Sequence, residues 1–401
     1  MSFKNFSVVV LSFTMFILFS FSAYAENVIK LGSAIAFTGP LSRSGKLYID
    51  SYKMAVDQVN KNGGVNVNGK NYKFELVFYD DKSDSTESAR LVEKLITEDK
   101  VNFLLGPYSS GITIPNSIVA RRYRVPMIEG GGSSGKIFNR GNKYIFGTLP
   151  SAADDYKSSL EFLKKQNPTP QKVAILYADD KYSMSVGEGA KKDAENMGFD
   201  VVLFEKYTEG ASDFTSIITK AKKSGAEVAL VAGHTEESMN FVQQSAELDY
   251  SPKFLSLSVG PSSPDFRKAL GKNAEYIYSY ATWSPTMSSK GYIFKNNQSF
   301  VEKFKERFGY DPDYHNASGI ADIAIYKYAI EKAGTLDREA VRDAIASISN
   351  LETIYGTIDF KENGQIDMPT IVLQIQNGKI HQVYPTSDIE AVYPMPAWDN
   401  R

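Results

Sequence analysis

The stretch at residues 129–137, EGGGSSGKI, comes within one residue of a nucleotide-binding loop. Gly130, Gly135 and Lys136 satisfy the G-x-x-x-x-G-K spacing, in which backbone N–H groups cradle phosphate. The next position should carry the hydroxyl that ligates magnesium, and it is Ile137. Other reactive side chains are scarce. The chain has no cysteine and three histidines, His234, His315 and His381. Neither H-E-x-x-H nor G-x-S-x-G occurs, so no motif supports a metalloprotease or a serine hydrolase. Asp80, Asp81 and Asp84 cluster in YDDKSD without the spacing of a calcium loop, and read as a solvated strand-end turn. The sequence predicts no enzyme activity, no cofactor and no metal site.

What fits instead is a loop that holds a small anion. EGGGSSG follows the apolar run VPMIE, and GPYSSG at 106–111 follows VNFLLG. Each would sit at the carboxyl end of a buried strand, next to the start of a helix. In open parallel sheets ligands bind at such ends. Helix N-terminal N–H groups favour anions, and glycines let the backbone approach closely. The alternative is a pair of ordinary connecting turns.

The elements that would position these loops alternate strand and helix. Strands are expected at 28–37, 72–80, 101–106 and 125–129, with helices at 46–60, 85–99 and 112–122. The order then restarts: strands at 172–178, 200–207, 227–233 and 253–258 alternate with helices at 186–197, 213–224 and 236–248. Two successive βαβ runs predict two parallel-sheet lobes. A third block, with helices at 299–308, 319–333 and 337–346 and a hairpin turning at Asn377-Gly378, should complete both lobes. The expected division is 26–148 with 281–352 for lobe 1, 149–280 with 353–390 for lobe 2, and a tail at 391–401.

Residues 1–25 carry Lys4, an apolar run and Ala23-Tyr24-Ala25, the pattern of a cleavable secretory signal. No cysteine is present to take a lipid anchor, so a freely diffusing periplasmic protein is expected. The mature chain of about 376 residues is long enough for two domains. The net charge of −2 is spread along the chain, which argues against a nucleic-acid surface.

The segments IKLGSAIAFTGPLSRSG, NKNGGV, VFYDDKSD, LLGPYSSGIT, VPMIEGGGSSG, ILYADDKYSMSVGEG and YGTIDFKENGQ occur in family order over nearly all of the mature chain. Together they resemble the type I periplasmic solute-binding proteins of the leucine/isoleucine/valine-binding group, which serve ABC importers. The resemblance implies an α/β fold of two Rossmann-like lobes joined by three crossovers, closing over a ligand by hinge motion. It implies a monomer whose partners are a small-molecule ligand and an inner-membrane permease, or a sensor in place of the importer. Ser110 matches the serine that holds the ligand carboxylate, with Tyr108 in the same loop. Gly131 and Ser133 match two further carboxylate-holding positions. Tyr182 and His234 match second-lobe positions that close over the ligand, and Ser44 falls where relatives place an aromatic. Trp283 either walls the pocket or packs at the hinge.

Two departures from the family stand out. Ser83 and Ser109 occupy positions where well-known relatives pair two cysteines. Ser258 stands where amino-acid binders place the acid that neutralises the ligand ammonium, and a serine cannot do so. Either Glu129, Asp180 or Glu236 substitutes, or the ligand is an amine-free carboxylate, aromatic or a keto acid.

Overall fold

A computed structural model describes residues 27–401, so the expected signal segment lies outside the described residues. The chain forms two sheets of parallel strands, each flanked by helices. The first has six strands in the order Val65–Val67, Lys70–Asp80, Val28–Ile35, Phe103–Leu105, Met127–Glu129, Ile145–Gly147. All pairings are parallel except that of the first two. The second has seven, in the order Lys379–Tyr384, Ile371–Gln376, Tyr278–Ala281, Phe254–Leu257, Val228–Ala232, Lys172–Ala178, Asp200–Tyr207. Its last five strands run parallel, and the hairpin is antiparallel.

Local sequence explains the elements. The central strands are short apolar runs buried on both faces, as at Val228–Ala232 (VALVA). Helices start at capping side chains. Asp84 accepts from Glu87 N, Asp180 from the N–H groups of Tyr182 and Ser183, and Asp313 from His315 N. Asn377 and Gly378 both take positive φ, 55° and 70°, as the tight hairpin turn requires.

The chain passes between the sheets at three places: after Gly147, after Ala281 and after Ile366. Two of these crossings are tied together, because Gly147 N donates to Gly364 O and Ile366 N to Gly147 O. The packing departs from the expected division at two points. The hairpin of Leu351–Thr353 and Gly356–Ile358 packs in the first lobe's core with Tyr355 and Ile366, so that lobe's second segment runs past 352. The 391–401 segment is no loose tail: Met395 and Trp398 are buried in the second core, and the Trp398 indole donates to Tyr250 O.

Trp283 belongs to the crossing after Ala281. It is 1% exposed, and its Nε1–H donates to Asn297 Oδ1 and Ile354 O, both at 3.0 Å. It packs edge-on to Phe300 and is a hinge-packing residue, not a pocket wall. Trp283→Phe should therefore cost about 1–3 kcal/mol of stability, because the buried Asn297 Oδ1 loses its donor, while Ile354 O keeps that of Ser289. The cost should appear as a lower urea midpoint, with ligand affinity unchanged.

Candidate functional site

The carboxyl edges of the two sheets face each other and enclose a cavity of about 30 Å³, room for about two waters. The first lobe contributes Tyr108, Ser109, Gly131, Ser133, Tyr314 and His315. The second contributes Asp155, Tyr182, His234, Val259 and Tyr280. Leu149, Pro150, Ala281 and Thr282 line it from the crossings.

The glycine loop is built differently from an anion cradle. Glu129 Oε2 accepts the N–H groups of Gly131 and Gly132, at 3.1 and 2.6 Å. Ser110 Oγ accepts those of Ser133 and Ser134, at 3.1 and 3.2 Å. Four successive donors are thus satisfied by the protein's own side chains. From the other side, Tyr48 and Ser318 donate to Gly130 O. The loop approaches its neighbours so closely that a Cβ on Gly131 would lie 2.1 Å from Pro107 O. The helix beyond it, Gly135–Phe138, has four residues.

Ser110 therefore ties the two expected ligand loops together and does not line the cavity. Three other expected residues also lie away from it. Ser44 is buried within the helix Ser42–Lys61. Ser258 Oγ accepts Gly233 N at 3.0 Å and donates to Gly233 O at 2.8 Å, so it is held to that backbone behind Tyr182; Val259 lines the wall instead. Trp283 lies at the hinge, as described above. Tyr108, Gly131, Ser133, Tyr182 and His234 do come together at the cavity. Of the two serines at the cysteine positions, Ser109 lines the cavity, and Ser83 donates to Thr38 O.

None of the three acids considered as substitutes lines the cavity. Glu129 sits behind the glycine loop, where burial, together with Asp322, pushes its carboxyl well above the usual range. Glu236 is exposed and pairs with Arg43. Asp180 caps its helix. The acid that does line the cavity is Asp155, which accepts the Tyr280 hydroxyl at 2.5 Å. Tyr280 also meets the Tyr182 hydroxyl at 2.6 Å. Burial raises the Asp155 carboxyl well above the usual range, favouring its neutral form.

Aromatic rings run across the cleft. His234 Nδ1 lies 2.8 Å from the Tyr108 hydroxyl, a hydrogen bond between lobes. The His234 ring also packs on Tyr182, and Tyr108 meets His315 edge-on. His315 stacks on Tyr314 with centroids 4.0 Å apart and holds Asp313 through Nδ1 at 3.1 Å. In both histidines the Nε2 atom is buried and has no hydrogen-bond partner. Burial opposes a charge on His234, but Tyr108 and the Asp180 carboxylate outweigh it and raise its pKa well above the usual 6.5. Outside the cavity Ser134 meets Ser185 at 2.7 Å, and Arg43 reaches Glu236 and Asp265 of the facing lobe.

Sequence reasoning missed Asp155, Tyr280, Tyr314 and His315. The last two had a signal: Asp313 and Asn316 form a capping box at the start of a long apolar helix, which places Tyr314 and His315 at its mouth. Asp155 follows a crossing and carries no pattern of its own.

A family model described as periplasmic binding protein matches residues 28–379. The chain is 26% identical over 381 residues to Leu/Ile/Val-binding protein homolog 7 of Brucella suis, covering 91% of this chain and 93% of that one. Among solved structures it is similar to the branched-chain amino acid substrate-binding protein LivJ of Streptococcus pneumoniae in complex with isoleucine. The TM-score is 0.79 at 21% identity, over 92% of this chain and 100% of that one. A solute-binding protein of R. palustris in complex with benzoate matches with a TM-score of 0.78 at 17% identity, over 92% of this chain and 98% of that one. Another from R. palustris, in complex with 4-hydroxybenzoate, matches with a TM-score of 0.76 at 20% identity, over 93% and 99%.

Removing the tie between the two loops should be costly. Ser110→Ala leaves the N–H groups of Ser133 and Ser134 without their acceptor, so stability should fall by about 1–3 kcal/mol in urea titration.

Proposed function

The chain belongs to the periplasmic binding protein family, in the Leu/Ile/Val-binding group, and on that premise we propose that it captures a small aromatic carboxylate for an ABC importer. The observation that carries the ligand class is the pair of buried imidazoles at one cavity, each with an unpartnered Nε2. A carboxylate in that cavity would accept from the Nε2–H of either ring in its imidazolium form, since charge-assisted hydrogen bonds are the strong ones. Tyr108, Tyr182, Tyr280 and Tyr314 offer ring faces and edges to a flat body. The glycine loop, its N–H groups already satisfied, lends shape through Gly131 and Ser133. The relatives found with benzoate and 4-hydroxybenzoate support the same reading.

The cavity of about 30 Å³ is far smaller than a benzoate-sized ligand, so entry requires the lobes to part. Parting breaks the Tyr108–His234 and Ser134–Ser185 contacts and the Arg43 pairs, and bends the three crossings. When the lobes close again on a ligand, the Ser134–Ser185 and Arg43 contacts outside the cavity re-form around it, which is the hinge closure expected of two-lobed binders. Delivery to a permease follows from the family alone. Among the described residues no helix is long and apolar enough to cross a membrane.

A second reading is favoured by Asp155. An α-amino acid could place its ammonium against that carboxyl, and the relative in complex with isoleucine supports an amino-acid ligand. A thermal-shift panel of benzoate, 4-hydroxybenzoate, leucine and isoleucine separates the two. A ligand at about 100 times its Kd adds about 2.7 kcal/mol of stability. The benzoates should raise Tm and the amino acids should not; stabilisation by the amino acids alone would sink the aromatic reading in favour of the Asp155 one. Calorimetry of His315→Gln should then show a loss of about 1.5–3 kcal/mol in benzoate affinity, the worth of one hydrogen bond to a charged group.

A further inference from the structure

We propose that Asp180 is a positioning residue that keeps His234 cationic at the lobe interface, so that anion capture depends on a proton held by that pair. The proposal rests on the anionic-ligand reading above for its function, though not for its test.

His234 stands where a charge is hard to keep. It is 7% exposed and occupies the N-cap of the helix Thr235–Glu247, whose dipole disfavours a cation. Asp180 lies within the same lobe, with Oδ1 3.7 Å from His234 Nε2. This carboxylate cannot turn to solvent. It is 7% exposed, and Oδ1 is held by Tyr182 N at 2.8 Å and Ser183 N at 3.1 Å. Its second oxygen is buried without a partner, as is His234 Nε2. The pair is thus two halves of an ion pair, fixed by separate helix starts and left slightly apart. A ligand anion can take the imidazolium N–H without first displacing a full hydrogen bond.

The other groups around His234 do not replace Asp180. Tyr108 approaches from the facing lobe and Tyr182 from the Asp180 helix. Glu237 is committed elsewhere, because its carboxylate accepts His234 N and Gly210 N. Glu209, itself raised by burial, lies near Lys181 as well as His234. Tyr207 donates to Ala232 O at the end of the adjoining strand. Asp180 alone is a charged acceptor close to the unpartnered nitrogen. Its own carboxyl agrees: burial pushes it up, yet His234 and Ser183 hold it down at about 2.

The sign follows from the raised His234 value. The imidazolium and its attraction for an anion are fully present at low pH and are lost as pH rises through the folded-state pKa. Asp180→Asn keeps the helix cap, since Asn caps as well as Asp, and removes the charge. With only three histidines, the imidazole C–H resonances can be followed by NMR and His234 assigned with His234→Gln. In the ligand-free protein His234 should titrate well above 6.5, and in Asp180→Asn lower by about one unit or more. An unmoved titration overturns the proposal, whichever ligand the protein takes. Calorimetry with benzoate at several pH values tests the consequence. Affinity should fall on the alkaline side, and that fall should move to lower pH in Asp180→Asn. If the NMR titration shifts and benzoate does not bind, the ligand reading fails and the Asp180–His234 coupling stands.

Discussion

Three short crossings hold two parallel sheets with their carboxyl edges facing, and nearly every polar feature of the site answers to that arrangement. Loops at both edges are driven together into a space of about 30 Å³, where water can satisfy few backbone groups. The protein must then supply its own partners. Glu129 and Ser110 take four N–H groups of the glycine loop, Ser258 closes on both backbone groups of Gly233, and Asp180 and Asp313 cap the helices that open onto the cavity.

The same economy explains why EGGGSSGKI is no phosphate loop. A phosphate cradle needs free N–H groups at the start of a sustained helix. Here those groups are turned inward on a buried carboxyl, and the helix that follows ends after one turn. The glycines serve close approach instead, to Pro107 O at Gly131 and to Ser318 at Gly130. An internal acid beneath a glycine turn is a folding solution that leaves recognition to side chains.

Those side chains are rings. The chain of contacts from Tyr182 through His234 and Tyr108 to His315 and Tyr314 spans both lobes. Rings bury large areas with few rotatable bonds, so closure fixes them at modest entropic cost. Each histidine is oriented by the partner of Nδ1, a tyrosine hydroxyl in one case and a carboxylate in the other, which leaves Nε2 as the variable group. Asp155 with Tyr280 and Tyr182 forms a separate polar wall of the same cavity.

The sequence by itself determined the two alternating βαβ runs, the placement of the glycine loop and GPYSSG at strand ends, and the turn at Asn377-Gly378. These depend on short-range patterns: apolar runs, helical periodicity, and residues that tolerate positive φ. The resemblance to the family brought forward Gly131, Ser133, Tyr182 and His234, with Tyr108 in the same loop as Ser110, and these five do line the cavity. Only the tertiary structure decided which atoms face the cavity. Ser110 and Ser258 have the right chemistry at the right strand ends, yet both are spent on neighbouring backbone groups from other segments. Trp283 went to the hinge because its indole N–H found Asn297 and Ile354 O, and Asp155 reached the cavity by way of a crossing. Hydrogen-bond partners that lie on other elements leave no trace in local pattern, and in a cleft this narrow those partners determine whether a polar side chain is free.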